Sequence, residues 1–418
     1  MILKKIIIII PLIFVLIIIN LFFKRDDNLS DESMSLYKNN EISESALYLL
    51  GIFADEKENP IDEGKKLLVE VQRSIDDGFY KGFFEYSFNV EEYYPKGEIF
   101  CDVQQSGCID KLFNADIDID RLLNRHETLM ERSTVFLDFD EFQILEPRII
   151  SYESFEYLLK AERIKVLEAI LKFKRGDIDL AVTALVEQFR KLRYVLALHD
   201  DITKQYFLPK LSEILDVLSV ILSENDRKIL EITNLNSSEK SFFTLLSQEF
   251  KASKDLILEL NGYNLFQYYY HDEILERTYP DWLQNMLYKP NMTINSIALF
   301  YIRVINMSQM SPSEFIGTLE QKFEFKNSRL FNPFANMLNN YLPQDSIFLE
   351  RLVARTQNFD VKISLFNQLH GLSARKLTNK INNPYYGSVF FKREDSKVCI
   401  QGPKLYEIEN LNLICLKI

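Results

Sequence analysis

The chain has 418 residues, and its 61 Asp and Glu against 49 Lys and Arg give a net charge of −12. With 47% hydrophobic and 26% charged residues, the composition is that of a packed globular protein, which excludes wholesale disorder, a collagen-like chain and a multi-span membrane protein. Only 12 Gly and 12 Pro are present, and this scarcity of turn formers favours a mainly α fold over a many-turned β-sandwich.

The first 25 residues predict a transmembrane anchor. Residues 6–23 form an apolar run interrupted only by Pro11 and Asn20, and a helix of that length at about 1.5 Å per residue nearly spans a hydrocarbon layer of about 30 Å. The run ends at Lys24 and Arg25 without the small residues of a cleavage site, so we expect an uncleaved signal-anchor rather than a secretion signal. We expect a single pass through a bacterial inner membrane, with the bulk of the chain in the periplasm.

An acidic, partly helical juxtamembrane region is predicted for residues 26–150. Its residues 26–120 hold 23 acidic against 8 basic side chains. Such charge repels nucleic acid and anionic lipid headgroups. We therefore expect no nucleic-acid partner.

Residues 151–375 predict a multi-helix body of antiparallel amphipathic helices. Apolar residues recur on one face of each of three successive stretches: Leu158, Ala161, Ile164, Leu167 and Leu171; Ile178, Ala181, Val182, Leu185, Val186, Phe189 and Leu192; Leu211, Ile214, Leu215, Leu218, Ile221 and Leu222. The first helix is expected to end before Gly176, with Asp177 starting the second. Further along, Ser311 and Glu314 predict a capping box with Pro312 at the first helical position.

Residues 376–418 predict a small β-hairpin or meander module. Asn383-Pro384-Tyr385-Tyr386-Gly387 reads as a turn, and residues 389–392, 397–401 and 411–416 read as short strands. We expect a small antiparallel sheet docked on the helical body.

The last ninety or so residues resemble a known group of proteins. The residues that carry the resemblance are Leu330-Phe331-Asn332-Pro333-Phe334-Ala335-Asn336, then Arg355 in a following helix, then the turn at Asn383-Pro384-Tyr385 and its terminal hairpin. Together they look like uncharacterised, membrane-anchored helical proteins of proteobacteria. The resemblance implies an anchored, helical architecture and no activity.

Four cysteines fall into two local pairs. Cys101 and Cys108 flank a Ser-Gly turn, and Cys399 and Cys415 lie on predicted strands. In an oxidising compartment this even count predicts two disulfides. Three pairings are open, and we prefer Cys101 with Cys108 and Cys399 with Cys415 because each pair meets without rearranging the helices. The alternative is four buried thiols in a cytosolic protein; a zinc site is disfavoured by the spacing.

No metal or cofactor site is predicted. Asp116, Asp118, Asp120 and Glu127 have part of the spacing of an EF-hand loop. However, Arg121 stands where that loop needs glycine, and a helix cap at Asp118 or Asp120 explains the same residues.

No catalytic residue is assigned. The sequence has no G-x-S-x-G, P-loop or dinucleotide motif. His126, His199, His271 and His370 are scattered, and those beside carboxylates, at 199–201 and 271–273, read as surface clusters. Glu153-Ser154 resembles the catalytic Glu-Ser of lytic transglycosylases, but a helix start accounts for both residues.

These features favour a protein that is not an enzyme. The leading hypothesis is a single-pass inner-membrane protein whose periplasmic helical domain acts as a protein-interaction or scaffold module and binds other envelope proteins. One alternative is an envelope hydrolase acting on peptidoglycan through a carboxylate general acid. Another is a cytoplasm-facing, membrane-tethered adaptor. The sequence sets no oligomeric state.

Overall fold

The structure is a computed structural model. It describes Val15, 26–36, 41–76, 95–102, 107–144, 152–198, 204–259, 288–321, Phe323, Phe325, 332–372, 380–390, 392–394, 396–404 and 412–418.

The described chain is mainly helical, as predicted. Its helices are α1 Asp31–Ser35, α2 Glu44–Leu50, α3 Pro60–Asp76, α4 Cys108–Asn114, α5 Ile119–Arg125, α6 Glu127–Leu137, α7 Tyr152–Lys174, α8 Ile178–Leu198, α9 Lys204–Glu224, α10 Ser237–Lys240, α11 Phe243–Glu259, α12 Pro290–Gln309, α13 Pro312–Leu319 and α14 Pro333–His370. The strands are β1 Lys380–Asn383, β2 Gly387–Phe390, β3 Lys392–Glu394, β4 Lys397–Gln401 and β5 Leu413–Lys417.

The predicted membrane anchor, residues 6–23, lies outside the described residues apart from Val15. Within the described ranges, no helix combines the length and the apolar character that a bilayer crossing requires.

The chain forms two compact units, each built from separated stretches of sequence. The larger unit comprises Asn39–Leu245, Ser308–Thr318 and Arg351–Ile418, and the smaller comprises Met1–Lys38, Leu246–Met307 and Leu319–Glu350. The boundaries expected near residues 25, 150 and 375 stay predictions.

Helices α7, α8 and α9 form the centre of the larger unit. Their predicted apolar faces are buried: Leu158, Ile164, Leu185, Leu192, Leu211 and Leu218 are each at most 2% exposed. The Gln188 amide in α8 donates to the Glu162 carbonyl in α7 at 2.8 Å. Tyr206 near the start of α9 stacks on Phe155 near the start of α7, with ring centroids 5.1 Å apart. Thus α7 and α9 run in the same direction and contact each other, and α8 runs antiparallel to both.

The junction between α7 and α8 ends the first helix where the sequence predicts. Gly176 has φ +91°, a left-handed conformation that glycine adopts without strain. Its N–H donates to the Phe173 carbonyl, and the Asp177 N–H donates to the Lys172 carbonyl, both at 2.9 Å. These two bonds form a Schellman motif, which satisfies the last carbonyls of the helix.

Helix α13 begins at the predicted capping box. The Ser311 N–H donates to the Glu314 carboxylate at 3.0 Å, and the Glu314 N–H donates to the Ser311 hydroxyl at 3.4 Å. Pro312 is the first residue of the helix.

Residues 44–76 contain a close helix pair in the larger unit. A Cβ on Gly64 of α3 would stand 2.0 Å from the Leu47 carbonyl oxygen of α2, and a Cβ on Gly51 would stand 2.0 Å from the Pro60 carbonyl oxygen. Backbone therefore packs against backbone here, and only glycine fits.

The C-terminal strands form a small antiparallel structure, as predicted, but in two parts. β1 pairs with β2 around the predicted turn, and β3, β4 and β5 form a three-stranded sheet. The strand at Lys380–Asn383 is one that the sequence pattern misses, because Lys-Ile-Asn-Asn lacks the alternation of a strand. The sheet docks on α9, where the Lys417 N–H donates to the Asp216 carboxylate at 3.1 Å.

In the smaller unit, the chain that follows the predicted anchor is tied to helix α12. The Asp26 carboxylate accepts from the N–H groups of Asn291 at 2.8 Å and Met292 at 3.1 Å, two donors that the first turn of a helix leaves without intrahelical acceptors. The Ser30 N–H and the Ser33 hydroxyl both donate to the Asn295 side chain, at 2.9 and 2.8 Å.

Candidate binding cleft

A cleft of about 290 Å³ opens in the larger unit between the first halves of α7 and α9 and the disulfide-bonded segment before α4. Its apolar and aromatic lining consists of Phe100, Tyr152, Leu159, Tyr206 and Pro209. Its polar lining consists of Asp102, Glu156, Lys160, Arg163, Gln205, Lys210 and Glu213, beside Cys101.

Three charged side chains form the floor of the cleft. The Arg163 Nε lies 2.6 Å from Glu213 Oε1, and the Lys210 Nζ donates to Glu213 Oε2 at 2.6 Å. All three side chains are buried; that of Glu213 is 0% exposed. Two cations therefore share one carboxylate, and the floor carries one excess positive charge when Lys210 is protonated.

Arg163 also fixes one wall of the cleft. Its guanidinium donates to the carbonyls of Ile99 at 2.7 Å and Cys101 at 3.1 Å. Its Nη1 lies 3.8 Å from the sulfurs of both Cys101 and Cys108. The ion pair in the helices thus positions the disulfide-bonded segment.

Lys210 is buried against its ordinary preference for solvent. Burial lowers the pKa of its ammonium to about 8, an effect that the Glu213 carboxylate partly opposes and Arg163 reinforces. Glu213 is the only hydrogen-bond acceptor that Lys210 has among the described residues. An ammonium has three N–H donors, so two remain for a ligand or water.

Gln205 adds a buried acceptor to the same cleft. Its side-chain Nε2 donates to the Leu352 carbonyl at 3.4 Å, while its Oε1 is buried and has no hydrogen-bond partner within the described part of the chain. Pro209, four residues later, has no N–H to give to the Gln205 carbonyl, as an ordinary helical residue would.

The rim of the cleft is aromatic and carries one exposed ion pair. Tyr152 is 52% exposed, and its ring meets that of Tyr206 edge to face with centroids 5.2 Å apart. Burial, followed by the charges of Glu156 and Asp102, raises the pKa of the Tyr152 phenol. Lys160 pairs with Glu156 at 3.1 Å, and its ammonium stands 5.6 Å from the centre of the Phe100 ring.

Two of the three carboxylates in the cleft, Glu156 and Glu213, are held in ion pairs. A general acid of a glycosidase needs a carboxyl group whose pKa is raised and which is free to reach the substrate. Here Glu213 has cations on both oxygens, and Glu156 is paired with Lys160. The cleft offers instead two tyrosine rings, spare ammonium donors and an orphan amide oxygen.

The structure pairs the four cysteines as predicted. Cys101 bonds to Cys108 with Cα atoms 5.8 Å apart, and Cys399 bonds to Cys415 across β4 and β5 with Cα atoms 4.1 Å apart. The first disulfide borders the cleft, and the second links the neighbouring strands β4 and β5.

The remaining sequence candidates form no site in the described residues. Asp118 caps α5 by accepting the Arg121 N–H at 3.1 Å. Asp116, Asp120 and Glu127 are exposed, and no cluster of three or more metal-ligating side chains occurs among the residues described. Glu153 lies in the first turn of α7, as expected. The clusters at 199–201 and 271–273 lie outside the described residues.

His126 and His370 have different surroundings. His126 lies between α5 and α6, and its partial burial, followed by the charge of Arg125, lowers its pKa. His370 is buried at the end of α14, with Nε2 2.8 Å from the Ser219 hydroxyl. No carboxylate in the described chain is hydrogen-bonded to that pair, so it reads as a core contact.

Sequence reasoning missed the floor of the cleft. Lys210 and Glu213 lie in a helix of which fifteen residues are buried, most of them apolar. Charged residues three positions apart in such a helix must be buried with partners. This signal indicates a buried cluster, although Arg163, which completes the cluster, is distant in sequence.

Comparison with known proteins finds no matching family model, no matching curated protein and no matching solved structure.

Proposed function

We propose that this protein is a single-pass inner-membrane protein whose folded domain binds other envelope proteins through the cleft between α7 and α9. The observation that carries the proposal is the lining of that cleft: aromatic rings at the rim, a disulfide-bonded wall and a floor whose carboxylate is fully engaged. Aromatic side chains with polar tips are enriched at protein interfaces.

The docking of the segment after the anchor supports a short tether. Asp26 follows residue 23 by three positions, at most about 11 Å of extended chain. Because Asp26 caps α12, the first turn of that helix would lie close to the membrane surface. The folded chain would then start at the bilayer rather than at the end of a long linker.

The two disulfide-bonded pairs support an oxidising compartment. Disulfides persist in the periplasm and are rare in the cytosol. This favours a periplasmic domain over a cytoplasm-facing adaptor.

In-cell photocrosslinking tests the interaction. A photoreactive phenylalanine analogue replaces Tyr152 at the rim of the cleft in the full-length chain. The matched control position is Tyr194 on α8, which is 50% exposed and lies outside the cleft. We expect reproducible envelope-protein adducts from position 152 and none from position 194, and we expect Tyr206→Ala to abolish them. No adducts from position 152, or identical adducts from both positions, would contradict the proposal.

The competing function is a peptidoglycan hydrolase, and it is favoured by the two carboxylates Asp102 and Glu156 at the rim of the cleft. The purified full-length protein, incubated with intact peptidoglycan, separates the two functions. We expect no release of soluble glycan fragments above that of an inactive protein control. Release that Glu156→Gln or Asp102→Asn abolishes would establish the hydrolase instead.

A further inference from the structure

The floor of the cleft has an unbalanced charge. Arg163 and Lys210 share the single carboxylate of Glu213. The neighbouring Glu162 does not change this count, because Lys165 neutralises it at 2.6 Å. At the rim, Glu156 and Lys160 neutralise each other, and Asp102 is exposed to solvent that screens its charge. A buried excess cation is costly and favours an anionic ligand.

The buried hydrogen-bonding groups indicate what kind of anion fits. Lys210 has N–H donors to spare, which require an acceptor. Gln205 Oε1 has no partner among the described residues, and it requires a donor. A ligand that satisfies both carries an anionic acceptor and an N–H close together.

The C-terminus of a peptide has this combination. Its carboxylate is one carbon away from the last amide N–H, and its last side chain branches from the same carbon. Tyr152 and Tyr206 provide an aromatic surface for that side chain at the rim. A volume of about 290 Å³ holds one or two residues.

We infer that the cleft binds the C-terminal residue of a partner polypeptide, with its carboxylate on Lys210, its amide N–H on Gln205 Oε1 and its side chain against Tyr152 and Tyr206. This inference rests on the proposed interaction function and names the part of the partner that enters the cleft. The low pKa of Lys210, about 8 in the absence of a ligand, is consistent with a floor that lacks one negative charge.

Three matched probes test the inference by calorimetric titration of the full-length protein in lipid nanodiscs. N-acetylphenylalanine carries the carboxylate, the amide N–H and an aromatic side chain. N-acetylphenylalaninamide lacks the negative charge, and 3-phenylpropionate lacks the amide N–H. Because charge-assisted hydrogen bonds are the stronger class, we expect the amide to bind at least ~10-fold more weakly than the acid. We expect 3-phenylpropionate to bind about 3- to 10-fold more weakly than the acid.

Variants assign each contact. Lys210→Gln leaves Arg163 and Glu213 paired one to one, and we expect it to remove the preference for the acid over the amide. Gln205→Leu should remove the preference for N-acetylphenylalanine over 3-phenylpropionate. The control is Lys172→Gln, which removes a partly exposed cation from α7 outside the cleft and should leave both preferences intact.

Several results would overturn the inference: no binding of N-acetylphenylalanine at about 10 mM, equal binding of acid and amide, or an acid preference that survives Lys210→Gln. These failures are distinguishable from a failure of the interaction function. If adducts from position 152 persist while the probes do not discriminate, the cleft binds a partner in another way. If neither the crosslinking nor the titrations give the expected result, the proposed interaction function is wrong as well.

Discussion

Glu213 is the residue on which the cleft depends most. Its carboxylate lies between the Arg163 guanidinium and the Lys210 ammonium and has no exposure to solvent. A buried ion pair is a weak source of net stability when it is complete, but removing one partner leaves a buried charge uncompensated.

Glu213→Gln should therefore destabilise the fold by about 3–5 kcal/mol, because two buried cations lose their shared anion. Urea unfolding of the full-length protein in nanodiscs measures the change. Glu156→Gln is the matched control: it breaks a partly exposed pair in the same cleft and should cost at most about 1 kcal/mol. Equal midpoints for the two variants would show that Glu213 is not the structural anion described above.

His370 gives the stability of the larger unit a dependence on pH. Burial, reinforced by the charge of Lys228, lowers its pKa from 6.5 to about 4. Between pH 6.5 and 4 the unfolded chain therefore binds a proton that the folded chain does not bind. By linkage, the contribution of neutral His370 to stability is complete above pH 6.5 and is lost as the pH falls through this window.

We expect acidification from pH 7 to pH 4 to reduce the free energy of unfolding through His370 by up to about 3 kcal/mol. His370→Gln retains a side-chain amide for Ser219 and cannot titrate, so its curve should be flatter by that amount. His126→Gln, at a half-buried position, should flatten the curve less. The account of His370 is wrong if its variant and the native chain respond identically to acid.

At the scale of the elements, local sequence signals place the helices of the larger unit. The apolar spacing predicts α7, α8 and α9, and Gly176 and Ser311 mark a helix end and a helix start. These signals work because they act within one turn of helix. The cleft does not follow from them, since Arg163 and Glu213 meet only after α7 and α9 pack.

Gly176, which follows the end of α7, and Gly317, which lies inside α13, should respond in opposite ways to alanine. Gly176→Ala forces a left-handed conformation on a residue with a Cβ and should cost about 1 kcal/mol. Gly317 lies inside α13 with open space around its Cα, so Gly317→Ala should stabilise the chain by up to about 1 kcal/mol. Chemical denaturation of both variants measures the contrast; the same sign for both would refute the assignment of Gly176 as a helix-terminating residue.

On the scale of the whole molecule, the disulfide pairing could be predicted from the sequence, whereas the cleft could not. Each pair is local: one joins cysteines that are seven positions apart, and the other joins adjacent strands. The division into two units could not be read in this way, because each unit gathers stretches that are far apart in the sequence. The role of Gln205 could not be predicted for the same reason, because its side-chain amide donates to the carbonyl of the distant residue Leu352.

The central claim is that the folded domain lies in the periplasm, an oxidising compartment in which both disulfides would form. The most direct measurement is the number of free thiols. Acid added to the cells preserves the redox state of the cysteines, and the denatured full-length protein is then alkylated. The increase in its mass gives the number of free thiols. We expect no alkylated cysteine, because Cys101, Cys108, Cys399 and Cys415 are all paired. Four alkylated cysteines would put the domain in a reducing compartment and contradict the account.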